Sequence, residues 1–414
     1  MSDSRHVCAL KARYVFPVSA PPIAGGCVTI GGERITSVGA PPQGCELRDL
    51  GNVAIVPGLV NAHTHLEFSD LAAPLGHPGM PLPDWIRLVM ASRRSQPDPT
   101  ASVARGLAES LSSGTTTLGE IASGDWRSSH RGDAPLADIV MFHESIAPVE
   151  NRVDAARATA EAFLARDVAQ DQIRPALSPH APYTVHRRLL ESLVALARRF
   201  DVPLAMHLAE SREEIELIRS GTGPLGDMLA EFNAWDPSPT ARCASVLEYL
   251  DRLAAAPRAL VIHGNYLDDG ELAFLADHRA TMAVVYCPRT HAFFRHEPYP
   301  LARMLELGVH MALGTDSRAS NPDLSLLAEM KFVAHNHRNV PAATVLELGT
   351  LAGARALGIE EQTGTLEPGK LANLAVIQLE GGDGPDPHAL LLAPEARVVR
   401  TFLRGKEIPT AGSS

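Results

Sequence analysis

Pro57-Gly58-Leu59-Val60-Asn61-Ala62-His63-Thr64-His65-Leu66-Glu67 is the stretch on which the reading of this chain turns. An apolar run ends in a histidine, skips one residue and supplies a second. Residues two apart on a strand share a face. Leu59 to His63 as a strand therefore predicts His63 and His65 side by side, holding one metal ion. A His-x-His pair alone is equally well explained by two surface histidines at a strand end. Its meaning depends on whether other strands end in ligands.

Working outward, apolar strand-like runs alternate with helical stretches. The patterning predicts strands over Leu59–His63, Thr115–Glu120, Asp138–His143, Ile173–His180, Pro203–His207, Ala259–His263, Met282–Cys287 and Val309–Thr315. Helices are expected over Ser102–Ser113, Val153–Asp167, Arg188–Phe200, Ala244–Leu253, Asp269–His278 and Leu324–Ala334. Alternation of this kind makes a parallel α/β sheet, and eight units match a (β/α)₈ TIM barrel. A doubly wound open sheet is the rival, but no early strand is followed by the Gly-x-Gly-x-x-Gly turn that would favour it.

Both ends of the chain read as short strands: Val28–Ile30, Arg34–Val38 and Val53–Val56 early, Leu374–Ile377, Arg397–Leu403 and Glu407–Ile408 late. Short strands need a partner sheet. We expect the two ends to join as a small composite β-sandwich domain, residues 1–56 and 366–414, around a barrel of residues 57–365. Three segments exceed what connections require: Leu75 to Pro99 (with Trp85), Ser123 to Pro135, and Arg219 to Arg242. All follow or extend from strand C-termini and are read as walls or lids, with ordinary insertion as the alternative, above all for the third, and with Trp85 read first as packing under its loop.

The 414 residues are 45% hydrophobic, enough for a sizeable core, and carry a formal net charge of −11, which excludes a whole-chain basic footprint for nucleic acid. No apolar run reaches membrane-spanning length, and Met1 to Val18 lacks the apolar core of a signal peptide. Five scattered cysteines without a Cys-x-x-Cys spacing suit a reducing compartment. The expectation is a cytoplasmic protein without nucleic-acid or membrane partners.

Polar residues gather where the predicted strands end: His180, His207, His263 and, after strand eight, Asp316. One histidine in such a place is usually a satisfied core residue. Five histidines and an aspartate converging on one barrel mouth are hard to explain as packing. His63, His65, His207 and Asp316 are the expected ligands. Imidazoles with one carboxylate suit Zn²⁺ first and Fe²⁺ second, one ion per subunit. Glu210, three residues past His207, is the expected proton shuttle, although a helix-start glutamate is also favoured there by the helix dipole. His263 and Asp316 would orient the attacking water.

The motifs His63-Thr64-His65, His207-Leu208-Ala209-Glu210, His263-Gly264, Gly314-Thr315-Asp316-Ser317 and Leu366-Glu367-Pro368-Gly369-Lys370 resemble the amidohydrolase superfamily. Within it the chain is similar to the cytosine deaminase and chlorohydrolase-like branch, including aminodeoxyfutalosine deaminase-like members, over about residues 25 to 408. The resemblance implies a mononuclear metal centre, since strand four carries no lysine for a carboxylated bridge. It also implies that His180 contacts substrate, and that the protein is a homodimer.

Glu67 is expected to meet a substrate ring edge or amine, with support of the histidines as its alternative role. Arg289 and His291, in Cys287-Pro288-Arg289-Thr290-His291, are candidate contacts to a flat ring with a carboxylate-bearing tail. The expected activity is hydrolytic deamination of an amino-substituted, purine-like heterocycle, a small molecule. Expulsion of chloride or an alkylamine, cyclic-amide opening, and a non-catalytic binding role are the alternatives.

Overall fold

The computed structural model describes residues 7–95, 98–128, 136–166, 172–382 and 386–409. Its centre is a sheet of eight parallel strands: β1 Leu59–Thr64, β2 Thr115–Ala122, β3 Asp138–Ser145, β4 Ile173–Pro179, β5 Leu204–Leu208, β6 Ala259–His263, β7 Met282–Tyr286 and β8 Met311–Leu313. All eight are where the apolar runs predicted them. They are buried on both faces, as strands under a ring of helices must be. One face fills the barrel with Val60, Ala62, Ile121, Val140, Phe142, Ala205, Leu260, Ile262, Val285 and Ala312. The other packs on helices such as Thr100–Ser112, Arg187–Phe200 and Val246–Leu253 through Leu107, Leu111, Leu193 and Leu250.

The ends of the sheet meet at the residues of interest. Thr64 and Asp316 form a parallel bridge. The amides of Thr315 and Asp316 both donate to the His63 carbonyl, each at 3.1 Å. Asn61, buried inside, braces the seam: its Oδ1 accepts from Thr315 N at 3.1 Å and His63 N at 3.3 Å, and its Nδ2 donates to Thr315 Oγ1 at 2.8 Å. Gly314 lets the strands approach this closely, because a Cβ there would stand 2.9 Å from the His63 carbonyl oxygen.

The chain ends join as expected. Val53–Pro57 pairs antiparallel with Leu374–Gln378, which pairs with Arg397–Leu403, in a six-stranded sheet built from both termini. A four-stranded sheet of N-terminal strands faces it, and Leu10, Val28, Ile35, Ile55, Val376 and Phe402 fill the space between. No helix among the described residues is long and apolar enough to cross a membrane.

Two of the three long segments are helical rather than loop. Leu75 to Pro99 contains the helix Leu82–Ser95, and Arg219 to Arg242 contains Pro224–Glu231. Proline density masked the first: Pro78 and Pro81 precede the helix, Pro83 stands in its first turn, where proline is tolerated, and Pro97 and Pro99 follow its end in the sequence. Of Ser123 to Pro135, residues 129–135 lie outside the described residues.

Asn61→Leu leaves the buried His63 amide without its acceptor, while Thr315 N keeps the His63 carbonyl. At ~1–3 kcal/mol for one unsatisfied buried group, urea unfolding of the metal-stripped protein is expected to lose roughly 1–3 kcal/mol of stability; a loss under ~0.5 kcal/mol would show that the seam does not depend on it.

Candidate metal centre and active site

The strand ends supply the site. His63 and His65 come from the end of β1 and His207 from β5, and their ligand atoms lie within 4.8 Å of one another. Alternation alone does not place them. Val60 and Ala62 face the barrel interior, so a regular strand would turn His63 outward. The pairing of β1 with β2 shifts register between Asn61 and Thr64, and a bulge re-aims the side chains that follow. His263 breaks the alternation differently. Leu260 and Ile262 are interior, yet the His263 ring lies 5.7 Å from His63 and 5.5 Å from His207. Its φ of +70° is left-handed, as are Ala209 at +55° and Asp316 at +58°. Non-glycine residues held there carry strain, and such strain concentrates at functional sites.

The donor set fits a divalent ion. His207 Nδ1 donates to the His180 carbonyl at 2.9 Å, which leaves the lone pair on Nε2. That atom lies 3.4 Å from His65 Nε2, close to the ~3.3 Å separating two nitrogens on a tetrahedral ion with bonds of about 2.0–2.1 Å. Asp316 Oδ1 stands 3.7 Å from His63 Nε2 and 3.8 Å from His65 Nε2. Both His63 ring nitrogens are buried without a hydrogen-bond partner, a costly arrangement unless something else takes their lone pairs. Burial together with neighbouring histidines pushes His207 well below the ordinary imidazole range, and burial and the neighbouring His63 push His65 down to about 3. Neutral imidazoles are what a cation requires.

Glu210 sits beside this cluster. The helix Arg212–Ser220 is N-capped by Ser211, whose hydroxyl accepts from Glu214 N. The Glu214 carboxylate reaches back to Ala209 N at 2.9 Å and Glu210 N at 2.8 Å. The turn so formed aims Glu210 inward, where its Oε1 lies 3.5 Å from His263 Nε2. Burial and the nearby Asp316 push the Glu210 carboxyl well above the carboxylate range. Its helix-start position and its place in the site coexist.

His65, His207, Glu210, His263 and Asp316 line the floor of a cavity of about 520 Å³. His180 is on its wall, with Nδ1 2.6 Å from Thr184 Oγ1 and Nε2 3.8 Å from Glu144 Oε1. The upper walls come from the two helical insertions: Trp85, Ile86, Val89 and Met90 on one side, Met228, Leu229 and Phe232 on the other. Trp85 is therefore a wall residue, edge-on to Phe294, and not merely packing. Arg93, Arg94 and Arg152 complete the rim.

Three expected contacts are corrected. Arg289 does not line the cavity. Its guanidinium binds Asp323 at 2.7 Å and the fully buried Glu329 at 2.7 Å, behind the loop that carries Asp316. It neutralises the buried Glu329 and the part-exposed Asp323, so its charge is not directed at the cavity. His291 is also outside the cavity, edge-on to Tyr286 and Tyr299 in the helix Pro288–Phe294. Glu67 turns to Arg93 at 2.5 Å and Ser123 at 2.8 Å, in a smaller side cavity. It supports neither the histidines nor the main cavity directly; it anchors Arg93, which also binds Glu144 at 3.2 Å. Sequence reading missed Arg93, Arg94, Arg152 and Glu144. The helix over Leu82–Ser95 was the available signal for the first two.

A model of the amidohydrolase family matches residues 54–408. The chain is 30% identical, over 417 aligned positions, to a 5-methylthioadenosine/S-adenosylhomocysteine deaminase of Nitratidesulfovibrio vulgaris, covering 95% of this chain and 88% of the relative. Its fold is similar to that of Helicobacter pylori aminofutalosine deaminase in complex with methylthio-coformycin, with a TM-score of 0.85, 22% identity and coverage of 97% and 100%. It is also similar to an adenosine deaminase from Xanthomonas campestris with bound zinc, with a TM-score of 0.76, 24% identity and coverage of 97% and 92%. At these identities the two structures speak to the fold alone. The family match over most of the length, with a relative this similar across nearly the whole chain, makes this protein a member of the amidohydrolase family.

Proposed function

We propose that this protein is a metal-dependent hydrolytic deaminase that converts an adenosine-like nucleoside and water to the corresponding oxo-nucleoside and ammonia. The observation that carries the reading is Glu210 Oε1 held 3.5 Å from His263 Nε2 on the floor of one cavity with His65, His207 and Asp316. His63, His65, His207 and Asp316 would hold the ion, Zn²⁺ in first place and one per subunit. When bound, it supplies Lewis acidity that makes water nucleophilic at neutral pH.

The chain's own groups handle the protons. Glu210 accepts a proton from the attacking water and delivers it to the ring nitrogen, a task suited to a carboxyl whose burial raises its proton affinity. His263, neutral because burial holds it at about 3, orients the water together with Asp316. His180 faces the substrate. Asp316, ionised at the start, takes the second proton of the attacking water and passes it to the amine, which leaves as ammonia as the tetrahedral carbon collapses to the oxo product. The apolar walls exclude bulk water, which strengthens every polar interaction inside.

The cavity also suggests a substrate longer than adenosine. Arg94 and Arg152 are rim cations with no ion-pair partner among the described residues, and Trp85, Val89, Met90 and Phe232 line the way to them. We read this as room for a 5′ extension, apolar along its length and anionic at its end. A panel of adenosine, 5′-deoxyadenosine, 5′-methylthioadenosine, S-adenosylhomocysteine and aminofutalosine, scored by ammonia release, tests the class. The same reading carries a homodimer, checked by light scattering, and a cytoplasmic setting in keeping with five free cysteines.

Glu210→Gln is expected to retain bound metal and lose turnover by about 10²–10⁴-fold, the usual size of a general acid–base contribution; turnover within ten-fold of the parent would remove Glu210 from the role. In metal-stripped protein, the His65 and His263 Hε1 resonances should stay still between pH 7.5 and 5, because burial disfavours the imidazolium and both rings titrate near 3; a transition centred near the ordinary 6.5 would contradict the buried neutral site. The double replacement Arg94→Met and Arg152→Met should lower kcat/KM at least ten-fold for nucleosides with an acidic 5′ extension, while adenosine stays within about three-fold.

A further inference from the structure

We propose that Tyr299 is a positioning residue for His263: its hydroxyl locks the peptide between His263 and Gly264 in the orientation that keeps the imidazole beside Glu210. The inference rests on the reading that His263 takes part in turnover. Tyr299 itself lies outside the cavity lining, and its hydroxyl bonds to the His263 backbone rather than to the imidazole or Glu210.

His263 enters the site by breaking the strand alternation at a left-handed φ of +70°. The bonds that hold that conformation belong to the peptide that follows it. On one side, Gly264 N donates to the carbonyls of Leu208 and Ile262, both at 3.1 Å. On the other, the buried His263 carbonyl accepts from Tyr299 Oη at 2.9 Å. Gly264, at φ +59°, has no Cβ, and one placed there would meet Leu267 and Val284 side chains at 2.9 Å. Glycine accepts either sign of φ, so it permits this turn but does not hold it against a flip of the preceding peptide. The tyrosine hydroxyl supplies what the glycine lacks.

The donor is itself fixed. The Tyr299 ring stacks on Tyr286, with centroids 3.7 Å apart and planes 10° from parallel. His291 closes the edge of the stack at 5.5 Å and 87°. Leu301 N donates to the Tyr299 carbonyl at 2.9 Å. The segment after β7, which carries His291, thus serves the site through packing: it makes the seat for Tyr299. Tyr286 provides an internal control. Its hydroxyl stands 3.3 Å from His337 Nε2, away from His263. The two rings share one stack, and only one hydroxyl reaches the strained peptide.

The test compares Tyr299→Phe, Tyr286→Phe and His263→Ala in the full-length, metal-loaded enzyme, with the nucleoside of the panel that the parent deaminates fastest. Metal content and Tm are measured alongside. Tyr299→Phe keeps the stack and removes one O–H. It should lower kcat at least ten-fold with KM within about two-fold, at unchanged metal content, whereas Tyr286→Phe leaves kcat within two-fold. Equal losses in both phenylalanine variants, or a Tyr299→Phe kcat within two-fold of the parent while His263→Ala is inactive, would overturn this inference and leave the proposed function standing. A parent that releases no ammonia from any panel member, or an active His263→Ala, would overturn the underlying reading and this inference with it.

Discussion

The seam between the first and eighth strands is the constraint on which the rest depends. A barrel must join its last strand to its first, and here the join is made at the His63 carbonyl, which accepts from both Thr315 N and Asp316 N. The hydrogen bonds that close the barrel therefore also set the distance between two histidines and the aspartate that faces them. Asn61 braces the join from inside, where its amide can satisfy three partners at once. Closure and ligand geometry cannot vary independently, which suits a site whose groups must be held to a fraction of an ångström.

Burial decides the charge states around that seam. His65, His207 and His263 are kept neutral by desolvation and by one another, Asp316 is kept ionised by the histidines, and Glu210 is raised. Groups of one chemical type are thus driven in different directions by position, and carboxyls pushed apart in proton affinity are what acid–base chemistry uses. The same rule explains where the arginines go. Arg289 and Arg93 are each bound to two carboxylates, whereas Arg94 and Arg152 stand at the cavity rim.

Much of this was legible beforehand. Apolar runs alternating with helical stretches located all eight barrel strands; His65, His180, His207, Glu210, His263 and Asp316 meet at one cavity, and His63 clusters with His65 and His207. They were legible because each sits at the end of an apolar run, and a barrel brings all such ends to one face. Arg289, His291 and Glu67 misled for a shared reason. Their chemical types suit substrate, but a side chain's direction depends on which buried partner claims it. Glu329 lies 40 residues from Arg289, and Arg93 lies 26 residues from Glu67. Such pairings are invisible without the fold. The wall helix Leu82–Ser95 was hidden by the prolines that begin it.

The sequence by itself determined the architecture and which histidines and carboxylates gather at the barrel mouth, because apolar runs and the residues that end them are local properties of the chain. Only the tertiary structure decided how those groups face one another. Strict alternation would turn His63 and His263 away from the barrel. A register shift in β1 and a left-handed residue closing β6 turn them back, each held by contacts with distant strands and, at His263, by a tyrosine 36 residues on. Local pattern names the side chains. Their aim is set by long-range hydrogen bonds that can hold strained backbone where no local preference would place it.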